Sequence, residues 1–324
     1  MKDRFGREID YMRVSVTDRC DLRCIYCMPE GCEKVPMSRI LTYEETERII
    51  RVSADLGISR IRITGGEPFV RLGVTDLMRS IKAIPGIEEV TVTTNGQTLS
   101  RYIDELREIG IDGINISLDT LDPERFRHVT GGGELEKTLS GIEAAASSGI
   151  RTKINCLIME DFNEDEITDL AGLAFTHEID VRFIEMMPIG AGASVRGVSN
   201  MSVLRRLTER WPDLEPDERV HGSGPAVYYR RPGTEGAVGL ISPIHGIFCI
   251  GCNRVRLTSQ GQLKPCLCYD VQTDLKPYLE RPDDELREAI RSTIYDKPEA
   301  HCFTASADDD SCGLEQRLMS EIGG

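Results

Sequence analysis

The sequence contains no run of about 18 consecutive apolar residues, so nothing in it reads as a helix crossing a bilayer. Positive charge is not in excess. Against 39 Lys and Arg stand 54 Asp and Glu, a net charge of −15. That balance excludes the broad basic face needed for nonspecific nucleic acid or anionic membrane binding. The start, Met1 to Glu8, lacks the apolar core of a signal peptide, so a cytoplasmic location is expected. There is no low-complexity segment and no basic tail. The five histidines (His128, His177, His221, His245 and His301) are scattered, without the i,i+4 spacing of a helical metal site. What is present is a chain of 324 residues, 40% apolar and 29% charged, long enough for about two globular domains. It also carries 11 cysteines. An odd number in a reducing compartment argues for metal ligands or reactive thiols over a disulfide framework.

A quasi-repeat organises the first half. Gly-Ile followed by an alternating strand recurs at Gly57, Gly86, Gly110 and Gly149, with a fifth copy beginning Glu178-Ile179. Helix-like stretches precede the strands: Tyr43 to Leu56, Ser100 to Ile109, Leu135 to Ser147 and Glu164 to His177. The glycine fits the position just past a helix end, where positive φ is common. Tyr11 to Val16 supplies an earlier strand, giving six strands interleaved with helices and hence parallel βαβ units. One strand face is apolar (Ile61, Ile63, Val90, Val92, Ile114, Ile116). The other carries Arg60, Arg62, Thr91, Thr93, Asn115, Ser117, Lys153, Asn155 and Arg182, and Arg13 shares its parity. If the apolar face meets the helices, the polar face lines the lumen of a partial, open barrel. An open sheet with one solvated face is the alternative. Arg13, Arg60, Arg62, Lys153 and Arg182 in one cavity imply a polyanionic ligand such as a nucleoside triphosphate, because buried cations are costly alone. Past about Ala191 the rhythm stops. A short helix (Met201 to Trp211), hairpin-like strands around Tyr228 and Leu240, a cysteine-rich region and an acidic helix near Asp283 to Thr293 follow. The expected division is 1–190, an α/β partial barrel, and 191–324, a smaller α+β module closing one end of it.

Two cysteine groups carry the chemistry. Cys20, Cys24 and Cys27, spaced C-x3-C-x2-C, follow the first strand at its carboxyl end, where parallel α/β folds place their sites. Three thiolates on one loop can hold a [4Fe–4S] cluster with one iron left open. Zinc with a fourth ligand such as Cys32 is the alternative. The second group is Cys249-x2-Cys252-x13-Cys266, with Cys268 two residues on, and by spacing alone it could equally be a zinc ribbon.

The first triad, with Tyr26 before Cys27, resembles the signature of radical S-adenosylmethionine (SAM) enzymes, whose core is a partial (β/α)6 barrel. Gly65-Gly66-Glu67-Pro68 resembles that superfamily's SAM-binding glycine motif. The segment Phe248 to Leu257 resembles the second-cluster segment of the GTP 3′,8-cyclase family, which makes the first intermediate of molybdenum cofactor biosynthesis. Further stretches carry the likeness along nearly the whole chain: Ser15 to Cys20, Thr93-Thr94-Asn95-Gly96, Ile116 to Asp119, Arg182 to Glu185 and the terminal Gly323-Gly324.

The resemblance implies two [4Fe–4S] clusters, one on Cys20, Cys24 and Cys27 and one on Cys249, Cys252 and Cys266. It implies SAM contacts from Tyr26, Gly66, Glu67, Ser117 and Met187. It implies GTP contacts from Arg13, Arg60, Arg62, Thr93, Lys153, Arg254 and Arg256, with Arg182, Arg254 and Arg256 of catalytic importance. The implied partners are GTP, a one-electron reductant and cyclic pyranopterin monophosphate synthase, which takes the product; a homodimer is compatible with it. The Gly-Gly tail would enter the active-site region, against the plain reading of a frayed terminus. Cys268 is a departure: as a fourth ligand it would close the iron meant for guanine. Cys32, Cys156, Cys302 and Cys312 match no ligand position, and Cys156 falls on the apolar face. A peptide-modifying two-cluster radical enzyme and a metal-binding interaction protein are the rival readings.

Overall fold

The computed structural model describes residues 1–29, 34–246, 248–303 and 313–323; Cys32, Cys312 and Gly324 lie outside the described residues. The six repeating strands are β1 (Tyr11–Ser15), β2 (Arg60–Thr64), β3 (Glu89–Thr94), β4 (Gly113–Ser117), β5 (Thr152–Leu157) and β6 (Asp180–Ile184). Each pairs in parallel with the next. Between them run α1 (Tyr43–Asp55), α2 (Val74–Lys82), α3 (Ile103–Ile109), α4 (Pro123–Val129), α5 (Leu135–Ala146) and α6 (Ile167–Thr176). The sequence reading passed over α2 and α4. For α4 the start signal was present: Asp122 caps the helix, its carboxylate accepting from the N–H groups of Glu124 and Arg125, and Pro123 occupies the first turn.

Alternation sorted the faces correctly. Ile61, Ile63, Val90, Val92, Ile114 and Ile116 are each no more than 1% exposed and pack under the helices. The repeat glycines Gly57, Gly86, Gly110 and Gly149 all have positive φ, and Gly110 is the left-handed residue ending α3. Cys156 is fully buried in the same apolar cluster.

The rest of the chain lengthens the same sheet at both edges. After α7 (Asn200–Arg210) come β7 (Glu215–Pro216), β8 (Val227–Arg230) and β9 (Val238–Ile241), an antiparallel set joined through β9 in parallel to β6. Then β10 (Arg254–Leu257), β11 (Gln262–Lys264) and β12 (Thr273–Asp274) join through β10 in parallel to β1. The result is one 12-stranded sheet. Helix α8 (Asp283–Tyr295) covers α1, with Arg48 2.8 Å from Asp283, and the chain ends in α9 (Met319–Ile322). Among the described residues no helix is long and apolar enough to cross a membrane.

Candidate active site

Register sets three arginines side by side. Arg13 on β1 is opposite Arg62 on β2 and opposite Arg256 on β10, while Arg254 faces Tyr11. Like charges directly opposite destabilise a sheet, so this row stores repulsion that an anion would relieve. Arg13 is held well below its ordinary value, first by burial and then by Arg256 and Arg62. Arg256 is pushed down to about 10 by burial and by Arg254. These side chains line a cavity of about 1190 Å³, open mouth included, to which Thr93, Arg182 and Met187 also contribute. Arg182 Nη2 donates to Asn115 Oδ1 (2.5 Å) and Asn155 Oδ1 (2.6 Å). Its Nε and the hydroxyl of Thr93 are buried without a hydrogen-bond partner among the described residues. Side chains from β1, β2, β3, β5, β6, β9 and β10 therefore reach one space, which a flat sheet could not arrange.

The first cysteine loop is clamped at its root by the glycine motif. Gly66 N–H donates to the Thr17 carbonyl (2.7 Å) and Glu67 N–H to the Arg19 carbonyl (2.8 Å). A Cβ on Gly66 would sit 2.4 Å from the Arg19 carbonyl oxygen, so only glycine permits this approach. Tyr26, within the cysteine loop, donates its hydroxyl to Asp119 (2.6 Å), whose other oxygen accepts from Leu157 N–H (2.9 Å). Burial pushes Asp119 up to about 6. The Cys27 thiol lies near enough to Cys20 and Cys24 to add to the rise that burial causes in both. Yet no three His, Cys, Asp or Glu side chains among the described residues converge closely enough for a single ion.

The second cysteine group lines the arginine-walled cavity, beside β10. Two buried cations that spacing could not reveal organise it. Lys297, 2% exposed, donates to the carbonyls of Arg254 (2.8 Å) and Pro265 (2.5 Å). Arg7, paired with Asp3 at 2.6 Å, donates to the carbonyls of Cys249 (3.0 Å), Pro298 and Glu299. The end of the chain arrives here too. Lys264 and Glu315 form a fully buried ion pair at 2.5 Å, and beyond it Gly323 is buried, its carbonyl accepting from Arg256 (2.7 Å).

Two family models divide the chain between them. Residues 14–174 match the Radical SAM superfamily and residues 179–303 match Molybdenum Cofactor Synthesis C. The GTP 3′,8-cyclase of Clostridium perfringens (strain SM101 / Type A) is 43% identical over 327 residues, covering 100% of both chains. The chain belongs to the GTP 3′,8-cyclase family. The GTP 3′,8-cyclase of Peptoclostridium acidaminophilum is 47% identical over 99% of this chain and 98% of its own. Among solved structures, Streptococcus suis SuiB bound to S-adenosylmethionine shares the fold, with a TM-score of 0.66 and 16% identity over 97% of this chain and 78% of its own. The radical SAM assignment and its α/β architecture therefore stand.

Within this family member most of the expected GTP residues converge, but three expected residues sit elsewhere. Arg60 is on the lumen face yet at the amino end of β2. There it pairs with Asp10 and, at 3.6 Å, with Glu89, and it lines neither cavity. Lys153 lies below the main cavity, bonded to Asp180 (2.9 Å), the Tyr228 hydroxyl (3.0 Å) and the His221 carbonyl. The Glu67 carboxylate, 1% exposed, is taken up inside the fold by Asn95 N–H (2.7 Å) and the Thr94 hydroxyl (2.8 Å). Glu67 therefore holds the glycine motif against β3 and does not present its carboxylate to a ligand. Ser117 ends β4, half-buried. Cys268, 1% exposed, accepts from Cys302 N–H, and its Sγ is 3.8 Å from that of Cys302.

Proposed function

We propose that this chain converts GTP to 3′,8-cyclo-7,8-dihydroguanosine 5′-triphosphate, the first step of molybdenum cofactor biosynthesis. The observation that carries the reading is the arginine row in a cavity walled by the second cysteine group. Cys20, Cys24 and Cys27 would hold one [4Fe–4S] cluster, and Cys249, Cys252 and Cys266 a second, against which the guanine rests. Tyr26, Gly66, Ser117 and Met187 would contact SAM. When bound, the first cluster and SAM would supply one-electron, hydrogen-abstracting chemistry at C3′ of GTP.

The side chains of the cavity bind and orient. Arg13, Arg62, Arg254 and Arg256 present planar forks to phosphate oxygens, bonds that are charge-assisted and strong where water is excluded. The buried Thr93 hydroxyl and Arg182 Nε have no protein partner among the described residues, and a substrate oxygen would complete both. Ile184, Ile241 and Phe248 supply apolar walls that keep water from the reacting carbon. Arg256 also holds the tail carbonyl, coupling the Gly-Gly end to the substrate row. Residues 1–190 would serve SAM and 191–324 the second cluster, in a cytoplasmic enzyme fed by a one-electron reductant and passing its product to cyclic pyranopterin monophosphate synthase.

The decisive experiment is anaerobic incubation of reconstituted protein with SAM, GTP and a strong reductant. GTP-dependent formation of 5′-deoxyadenosine supports the assignment; its absence defeats it.

A further inference from the structure

The loop from His221 to Pro225, between β7 and β8, reads in sequence only as part of a Pro/Gly-rich connection. In the fold it separates two cavities. Ser223 and Gly224 line the main one and also a smaller, strongly polar one beneath it. Arg62 and Arg182 likewise border both, so the two spaces meet at this loop. Four cations face the smaller cavity: Arg62, Arg151, Lys153 and Arg182. Its carboxylate, Glu89, is already paired with Arg151 (2.7 Å) and Arg60 (3.6 Å). Asp180 is engaged by Lys153 and His221.

The backbone of the loop is equally suggestive. Gly222 has φ +106°, and an added Cβ there would meet only Arg151, at 3.8 Å. The N–H groups of Gly222, Ser223 and Gly224 make no hydrogen bond to any described residue. Successive unengaged amides around a left-handed glycine form a concavity that accepts anions. The loop is fixed at its start: His221 Nδ1 lies 3.0 Å from Asp180, its Nε2 3.0 Å from Asp217, and its ring stacks on Tyr228 at 4.0 Å. A loop fixed at its start, whose three successive amides have no partner among the described residues, borders a cavity lined by four cations, and together these have the makings of a phosphate seat.

We infer that Gly222, Ser223 and Gly224 grip the terminal phosphates of the nucleoside triphosphate, with Arg151 as an additional contact on the smaller cavity. The inference rests on the proposed GTP reading and extends it to residues that this reading leaves without a role. It makes the loop the element that distinguishes tri- from monophosphate.

The test measures equilibrium binding of GTP and of guanosine 5′-monophosphate to anaerobically reconstituted protein, with iron content as the check on folding. Ser223→Pro removes one amide donor, and Gly222→Val forces a β-branched residue into a left-handed position. Each variant is expected to lose roughly tenfold or more in GTP affinity, about 1.4 kcal/mol, while monophosphate affinity holds. Unchanged preference for GTP over the monophosphate in iron-replete variants overturns the inference. A readout on the unaltered protein guards against misfolding of both: inorganic tripolyphosphate should compete with GTP, and failure to compete also overturns it. Failure of the unaltered protein to bind GTP at all overturns the function reading with it, so the two failures are told apart.

Discussion

The two cysteine groups sit in opposite electrostatic surroundings, although each presents three thiols to the same barrel. Around the first group are acids, though burial pushes Glu67 up to about 8 and Asp119 to about 6, and Arg23 donates to the Cys20 carbonyl. Cys20 is pushed up to about 12, mainly by burial, with Glu67 and Asp21 adding to it; Cys24 is raised by burial, Cys27 and Asp119. Around the second are cations. Burial raises Cys252 as well, but Lys297 and Arg254 outweigh it and leave that thiol below its ordinary value. Net charge and hydrogen bonding near the sulfurs set the potential of an iron–sulfur site. A centre that must give an electron away gains from negative neighbours, and a centre that must seat an anionic substrate gains from positive ones. On the proposed reading, the difference would suit an electron-donating centre on the first group and a substrate-holding one on the second.

The sharpest way to break this comparison is to remove one thiol from each side. Cys24→Ser and Cys266→Ser should each reduce iron from about eight to about four per chain. Only Cys24→Ser should abolish SAM binding, whereas Cys266→Ser should leave SAM binding intact and weaken GTP binding. Zinc in the second site of the unaltered protein would end the proposed guanine contact. Next in size, Arg254→Ala or Arg256→Ala should weaken GTP binding by roughly tenfold to a hundredfold, the worth of one or two charge-assisted bonds, with iron unchanged. Loss of iron instead would make these arginines supports of the cluster.

A smaller effect on GTP binding, though a large one on stability, is expected from the tail anchor. Glu315→Gln strands the Lys264 ammonium in a fully buried site, and breaking such a pair costs about 3–5 kcal/mol. That cost should appear as proteolytic exposure of residues 313–323, and as weaker GTP binding through Arg256. Lys264→Met with Glu315→Leu should recover much of the stability.

The smallest effect is pH. Lys153 is held down to about 8, chiefly by burial, with Arg182 and Arg151 adding and Asp180 opposing. Its other neighbour, Tyr228, is pushed up to about 12 and stays neutral, and His221 contributes its carbonyl. As pH rises through about 8 the lysine loses its charge, so GTP affinity should fall a few-fold between pH 7 and 9, with about 0.6 kcal/mol per threefold change. Lys153→Arg should flatten that profile. In stability the sign is reversed. The folded pKa is depressed below 10.5, so the unfolded chain holds more protons between about 8 and 10.5, and this lysine penalises folding less as pH climbs through that window.

What the sequence disclosed and what it withheld follow from the range of the forces involved. Alternation has period 2 and needs only local residues, so the lumen faces of β1 to β6 could be read directly. That period says which face a side chain takes but not how deep along the barrel it lies. Arg60 and Arg62 share a face, and only Arg62 reaches the main cavity. Lys297, Arg7 and the Lys264–Glu315 pair escaped notice because each acts on backbone or charge distant in sequence. The parallel docking of β9 and β10 escaped for the same reason, since no local pattern encodes an edge partner at the other end of the chain.

That last pairing has a consequence for the order in which the molecule comes together. Strand β1 and β10, its partner on one side, are far apart in sequence, Tyr11 pairing with Arg254. Closing so long a loop is slow compared with the local βα steps. Until it closes, Arg13 stands next to Arg62 alone, and the arginine row is incomplete. A nascent or truncated chain can therefore build most of its barrel before it has a place for the substrate. On the proposed reading, binding competence would then depend on that one long-range closure.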